Sequence, residues 1–299
     1  MPNYLFKRTA KLIIGTEDNE ALSFGDDFRM SFDVQKNRTS LPNIGVFQLW
    51  NLSEDTRNKL ADVINGNLER LQKKETPLPL IFYAGYADGD GLVLLFNGYI
   101  TRSISLVQPP EIITRIECGD GALPLSNNTI ATSFAAGIDS NTIIKNIAAN
   151  MGLAISGASN YLDSKMTFAH GEAFTGLSKK FMDKITKAAG LDWHVNDNQI
   201  VLIKKNQSTK QTAVLVSAET GMIKSPEKTD TAVATQTQTL SQQGWSFTTL
   251  LEPDITPGRK VQIDSKVVKG DFIVGSVDHK GDNWQGDWST SVQTDVSGF

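Results

Sequence analysis

Three histidines, one cysteine and one acidic Gly-rich turn are the residues whose types invite chemistry. His170, His194 and His279 lie far apart, and none sits in an H-E-x-x-H pattern or beside a cysteine that could complete a metal site. The tightest grouping, His170-Gly171-Glu172, falls just ahead of a helical pattern and reads as a surface loop. His194 belongs to an alternating strand and is expected to face solvent. Cys118 is the only cysteine, so it has no disulfide partner and cannot build a thiolate cluster. Its setting, Ile112-x-Thr114-x-Ile116-x-Cys118, is one face of a strand, where a thiol acts as a small hydrophobe. Asp88-Gly89-Asp90-Gly91 has calcium-loop chemistry, but the twelfth position from Asp88 is Tyr99, not the acidic closing ligand. No G-x-S-x-G, G-x-x-x-x-G-K-[ST] or G-x-G-x-x-G occurs. Paired carboxylates for glycan cleavage remain open, since the 33 acidic residues need not be close in sequence to pair. No catalytic, cofactor-binding or metal-binding residue is therefore assigned. The expectation is a protein that is not an enzyme and uses no cofactor.

Composition narrows the partners. The 299 residues are enough for about two domains, with 39% hydrophobic and 21% charged residues. The net charge is −4 and no basic run appears, which argues against binding nucleic acid by counterion release. No apolar stretch is long enough to span a bilayer, and the N-terminus lacks signal-peptide character, so folding in a cytoplasm is expected.

Period-2 alternation over residues 28–35 predicts a half-buried strand, with less regular strands at 5–14, 46–52, 80–86, 92–101 and 112–118. The Ala87–Gly91 stretch is read as a hairpin connection. A helix capped by Ser53 interrupts them, with Leu60, Val63, Ile64, Leu68 and Leu71 on its apolar face. In the middle of the chain, Asp139 caps a helix carrying Ile143, Ile144, Ile147 and Met151 and stopped by Gly152. A second helix is expected from about Ala173, with Leu177, Phe181, Ile185 and Ala189 on one face and Gly190 as its stop. The same Gly-Leu step follows both helices, predicting two helix-then-strand units, and Asn196-Asp197-Asn198 predicts a hairpin turn. Residues 229–243, rich in Thr, Gln, Ser and Ala, read as a long polar loop. Strands return at 245–251, 260–264, 272–280 and 288–295. Trp245 and Trp288 fall in strands and are assigned to the core, whereas Trp284 sits at a turn tip, where core and interface remain equal alternatives. The order is β-rich, α/β, β-rich, and the last block is short enough that the two ends of the chain are expected to pack together.

The last third carries a recognisable order of motifs. Glu219-Thr220-Gly221-Met222-Ile223-x-Ser225-Pro226-Glu227 precedes the polar stretch. Thr249-Leu250-Leu251-Glu252-Pro253-Asp254-Ile255-x-Pro257-Gly258-Arg259 and Phe272-Ile273-Val274-x-x-Val277-Asp278-His279-x-Gly281-Asp282 follow it, and Trp288-Ser289-Thr290 ends the series. This resembles the C-terminal part of the baseplate hub proteins of tailed bacteriophages, relatives of the late control protein D group. The helix pair resembles that family's middle region. The resemblance implies an α+β fold of two tail-tube-like antiparallel β-barrel domains, at 1–119 and 207–299, with an inserted α/β domain at 120–206. It implies a structural hub subunit of a phage tail: a homotrimer whose ring adapts the hexameric tail tube to the trimeric central spike and lines the DNA channel. Implied partners are tail tube or distal tail proteins and the central spike, with tape measure and baseplate wedge proteins as further contacts and DNA only in transit. The place implied is the virion tail, after assembly in host cytoplasm. Two alternatives stand beside it: a hexameric tail tube or tail-tip protein, and a peptidoglycan-binding or wall-degrading tail component.

Overall fold

The computed structural model describes residues 7–16, 19–73, 75–161, 166–234 and 239–295. The first block contains strands β1 (Arg8–Thr16), β2 (Asn19–Phe24), β3 (Met30–Asn37) and β4 (Asn43–Trp50), then helix α1 (Glu54–Gln72). It continues with β5 (Leu80–Tyr86), β6 (Gly91–Gln108) and β7 (Glu111–Asp120). Four strands precede the helix where three were expected. β3 and β4 bury alternate residues, as period 2 requires of a sheet with one covered face. Ser53 caps α1 by accepting the Thr56 amide hydrogen at 3.1 Å, and Glu54 and Asp55 occupy the first turn, where the helix dipole favours acids. Leu60 is buried, but Leu68, expected on the apolar face, is 56% exposed. Asn67 points inward instead, donating to the Leu78 carbonyl at 3.0 Å and accepting from the Leu78 amide at 2.7 Å. That pair holds the helix end to the start of β5.

The middle segment comprises α2 (Ala122–Asn127), β8 (Thr129–Phe134), α3 (Ser140–Met151), β9 (Ala154–Ile155), β10 (Glu172–Leu177), α4 (Ser178–Ala188), β11 (Leu191–Asn196) and β12 (Gln199–Lys204). Asp139 caps α3 by accepting from the Thr142 amide. Gly152 and Gly190 both adopt φ of 69°, the left-handed conformation that ends a helix, and Leu153 and Leu191 are buried directly after them. The repeated Gly-Leu step is therefore a repeated structural device. The second helix begins later than expected. Residues from Ala173 to Leu177 pair with β8, Gly176 has a non-helical φ of 146°, and Phe174 stacks on Phe181 with centroids 4.5 Å apart.

The last block contains β13 (Val214–Ser217), β14 (Met222–Ala234), β15 (Thr239–Leu250), β16 (Lys260–Asp264), β17 (Lys269–Asp282) and β18 (Trp288–Thr294). In the polar stretch expected to be a loop, the described residues 229–234 and 239–243 are strand. β14 and β15 pair antiparallel from Met222 opposite Thr249 to Ala234 opposite Thr239, while residues 235–238 lie outside the described ones. Backbone ladder bonds need no apolar side chain, and β-branched Thr suits a strand.

Thirteen strands form one sheet whose main path runs β14-β15-β18-β17-β3-β4-β7-β6-β5-β1-β2. The path is open at β14 and β2, so the expected closed barrels do not form among the described residues; the fold is α+β and rich in antiparallel sheet. The two ends of the chain do meet, because β17 pairs with β3 from Ser276 opposite Asn37 to Asp282 opposite Ser31. Arg29 seals that seam with Asp282 at 3.0 Å, and Arg8 donates to the carbonyls of Asp282 and Gly286, each at 2.8 Å. Apolar residues gather in three clusters: one under β1–β7 and α1, one in the middle segment and one under β13–β18. Trp288 and Leu251 from the last block belong to the first cluster.

Gly281 sits at this seam, opposite Phe32 on one side and Trp288 on the other. A Cβ there would lie 2.5 Å from both rings, which themselves pack edge to face at 5.2 Å. Gly281→Ala must displace both rings or shift the strand, and overpacking of this kind costs about 1–3 kcal/mol. Urea unfolding should show that loss, and an unchanged midpoint would refute the close packing.

Candidate functional site

The densest polar constellation is a buried junction where the turn between β11 and β12 docks onto the sheet. The turn residues Asp197 and Asn198 have φ of 52° and 61°, the paired positive values a tight two-residue hairpin needs and that Asp and Asn tolerate. This geometry aims two backbone amides at the end of β7. Asp120, fully buried there, accepts from the Asp197 amide at 2.8 Å and the Asn198 amide at 2.7 Å. It also accepts from Asn43 Nδ2 at 2.9 Å, and Asn43 donates in addition to the Val195 carbonyl at 2.8 Å. Lys36, 2% exposed, places Nζ 2.9 Å from both Asp197 carboxylate oxygens. Arg38 bridges Asp192 of β11 at 3.2 Å and Asp295, beyond β18, at 2.6 Å. One short stretch of chain from Lys36 to Asn43 thus holds the first block, the middle segment and the last block.

Burial sets the electrostatics. Asp120 is pushed up to about 7, first by loss of water and then by the neighbouring Asp197 charge, against the pull of its donors and of Lys36. His194 and His279 are both fully enclosed and held near 3. For His194 the causes are burial, then the Arg38 and Lys36 charges; for His279 they are burial, then Lys36. The Pro257 and Ile255 carbonyls pull the other way, too weakly to offset burial. Neither ring nitrogen of His194 makes a full hydrogen bond, nor does Nε2 of His279, whose Nδ1 lies 2.9 Å from Thr290 Oγ1.

His194 was expected to face solvent and is instead 1% exposed. β11 is covered on both sides, so alternation does not mark an outer face; Gly258 of the last block lies against the ring, where a Cβ would be 3.5 Å from it. His170 is exposed, as a surface loop residue should be, and its neighbour Glu172 pairs with Lys184. The three histidines do not converge on one another with acids, and among the described residues no group of three or more His, Cys, Asp or Glu could hold a metal ion. Asp88 lies in the β5–β6 turn and faces Lys7 at 3.4 Å. Cys118 is buried in the first cluster, and burial raises its thiol well above the ordinary range, so it stays protonated. Trp288 is buried, Trp245 is half-buried and Trp284 stands 65% exposed at its turn.

Spacing did not single out Lys36, Asn43, Asp120 or Asp197, because their partners are up to 161 residues away. A second feature was also missed: β6 and β7 run past the body as a paired arm to Gln108 and Glu111, with Leu106 and Val107 exposed near its tip. Its signal was the alternation through Ser103, Ile104, Ser105 and Leu106 ahead of the Pro109-Pro110 turn.

The chain has known counterparts. The family described as Baseplate hub gp41 matches residues 12–284. No curated protein sequence matches. Among solved structures, the 43 kDa tail protein of prophage MuSo2 from Shewanella oneidensis is similar with a TM-score of 0.63 at 8% identity, over 96% of each chain. The tail protein from Neisseria meningitidis MC58 is similar with a TM-score of 0.63 at 9% identity, over 97% of each chain. The c3393 protein of E. coli has a TM-score of 0.55 at 7% identity, over 90% of this chain and 74% of that one. It is described as a type VI secretion component similar in structure to the phage T4 tail proteins gp27 and gp5. At such identities these three establish the shared fold alone.

Proposed function

Because the chain belongs to the baseplate hub gp41 family and so is a structural component of the phage tail baseplate, we propose that it works as a homotrimeric ring joining tail tube to central spike around the DNA channel. The observation that carries this is the pairing of β3 with β17, which places two β-rich blocks of one chain in a single sheet. Two such blocks at 1–119 and 207–299 would give three chains six β-rich units, the count needed to meet a hexameric tube above and a threefold spike below. The α/β segment at 120–206 leaves the sheet at Asp120 and is tied back to that point by the β11–β12 turn, so in this reading it rides on the ring as a fixed attachment. The partners are the tube or distal tail proteins and the spike, with assembly in the host cytoplasm before incorporation.

The role is mechanical, not catalytic. Three of the four histidine and cysteine side chains serve packing: Cys118 is a buried thiol, and His194 and His279 are held neutral inside the fold. Adapting between symmetries asks for rigid placement of surfaces, which a continuous hydrogen-bonded sheet supplies.

Mass measurement of the purified chain with its tail partners, followed by imaging down the tail axis, tests the assembly. Three copies per ring are expected. A sixfold ring would replace the trimer with the tube or tail-tip reading, and a chain that stays monomeric with tube and spike present would end both.

A further inference from the structure

The main path of the large sheet repeats one winding. β3, β4, β7 and β6 lie side by side in the first block, and β14, β15, β18 and β17 in the last. In each set the first two strands keep chain order and the last two exchange places. The hairpin tip between β6 and β7 is therefore the counterpart of the tip between β17 and β18. Register puts both tips at one end of the sheet. Across the seam, Asp282 faces Ser31 and Met30 faces Leu49. Beyond it, Trp50 faces Ile113, which faces Leu106 in turn. At the opposite end Asn43 faces Asp120, where the α/β segment leaves the sheet.

Both tips display large apolar side chains on frames that are already fixed. In the β17–β18 turn, Asn283 donates to the Phe28 carbonyl and accepts from the Met30 amide, each at 2.8 Å. Asp282 accepts from the Trp284 amide at 2.9 Å and the Gln285 amide at 3.2 Å, and Arg8 holds the Gly286 carbonyl. Trp284 stands out from this frame into solvent. At the other tip Val107 is 71% exposed and Leu106 46%, ahead of Pro109-Pro110, whose rings fix φ. Exposed Gln108, Gln285 and Asp287 flank these side chains, as a polar rim flanks an interface core. Trp is enriched among the residues that dominate binding, and a frame ordered in advance loses little entropy on docking.

We propose that these two tips are matched anchors for the tail tube, Trp284 at one and Leu106 with Val107 at the other, entering apolar pockets on successive subunits of a sixfold ring. The proposal rests on the trimeric hub reading above and names the end of the hub that meets the tube. The partner follows from the count. One chain offers two counterpart tips, so three chains would offer six, matching a ring of six identical subunits. A threefold spike would have to meet the two tips of each chain with two different surfaces. The opposite end carries the α/β segment at Asp120, which leaves that end for the spike.

The test uses cells making this chain together with the tube and spike proteins of the same phage. Complexes are recovered through a tag on this chain, and the tube and spike bound to it are measured along with the mass of its ring. The variants are Trp284→Ser, Leu106→Ser with Val107→Ser, and all three together. Val267→Ser, 56% exposed in the turn that enters β17 and away from both tips, is the control. Each tip variant should keep the trimer and its spike yet recover about tenfold less tube, and the triple variant should recover none; the control should match wild type. Wild-type tube recovery in the triple variant overturns the proposal. So does loss of the spike with the tube kept, which would turn this end toward the spike. A defect confined to one tip overturns it as well, since the two would not be counterparts. Loss of the trimer in the tip variants but not in the control would make the tips contacts within the ring, again against the proposal. A wild-type chain that recovers neither tube nor spike would instead refute the hub reading itself.

Discussion

Lys36→Met should be among the most damaging single substitutions in the chain. The lysine is 2% exposed and its ammonium is shared between both oxygens of Asp197 at 2.9 Å. Removing it leaves Asp197 beside the buried Asp120 with no cation between them. Breaking one side of a buried pair costs about 3–5 kcal/mol, because the remaining charge keeps its desolvation penalty and loses its compensation. In a chain of this size that lowers the melting temperature by roughly 5–10 °C. The loss should be larger at pH 8 than at pH 5, since protonation of Asp120 relieves its repulsion with Asp197. Adding Asp197→Asn should recover part of it. Asn tolerates the positive φ of that turn position, and the second substitution removes the stranded charge. Calorimetry of the two variants decides: a Lys36→Met protein that melts within a degree of wild type, or a double variant no better than the single, would show that the pair does not hold the junction.

This junction also marks where the sequence stops being readable. The elements that form it were legible one by one. The Asn196-Asp197-Asn198 turn signals its hairpin through residues that accept positive φ, and the alternation through Phe32 and Val34 signals β3. That Lys36 should reach Asp197 was not legible, because no local pattern records a contact spanning most of the molecule. His194 failed for a related reason. Alternation predicts an outer face only when a strand has one, and β11 is covered by the last block through Gly258. The 229–243 stretch misleads from the opposite side: polarity reads as the mark of a loop, yet strands paired through their backbones need no apolar face. The motif order pointing to a hub was legible because it depends on sequence order alone.

Acid should weaken the fold through the two enclosed histidines, and the sign is set by their pKa values. Each is held near 3 in the fold against an ordinary 6.5, so the unfolded chain takes up a proton on each histidine at a pH where the folded chain does not. Their stabilisation is complete above about pH 6.5 and drains as pH falls toward 3. Asp120 runs the other way. Its folded value near 7 exceeds the ordinary 3.8, so its contribution is complete in acid and is lost as pH rises toward 7. The raised Asp278 and Glu252, half-buried groups, add weakly to the same side as Asp120. Two histidines against one buried carboxyl leave about one excess proton on the unfolded chain between pH 6.5 and 4, a slope of about 1.4 kcal/mol per pH unit. Each histidine accounts for about that much by itself, so His279→Leu should flatten the slope even if it lowers stability at neutral pH. Thr290 Oγ1 keeps a partner in that variant, because it still accepts from the Glu252 amide at 2.9 Å. Urea unfolding at half-unit steps from pH 4.5 to 7.5 measures the slope directly. Equal slopes in wild type, His279→Leu and His194→Leu would mean that neither ring is held neutral by burial. A flattened slope in both would tie the acid sensitivity of the hub to the two seams, at Gly258 and at Thr290, where the last block closes over the rest of the chain.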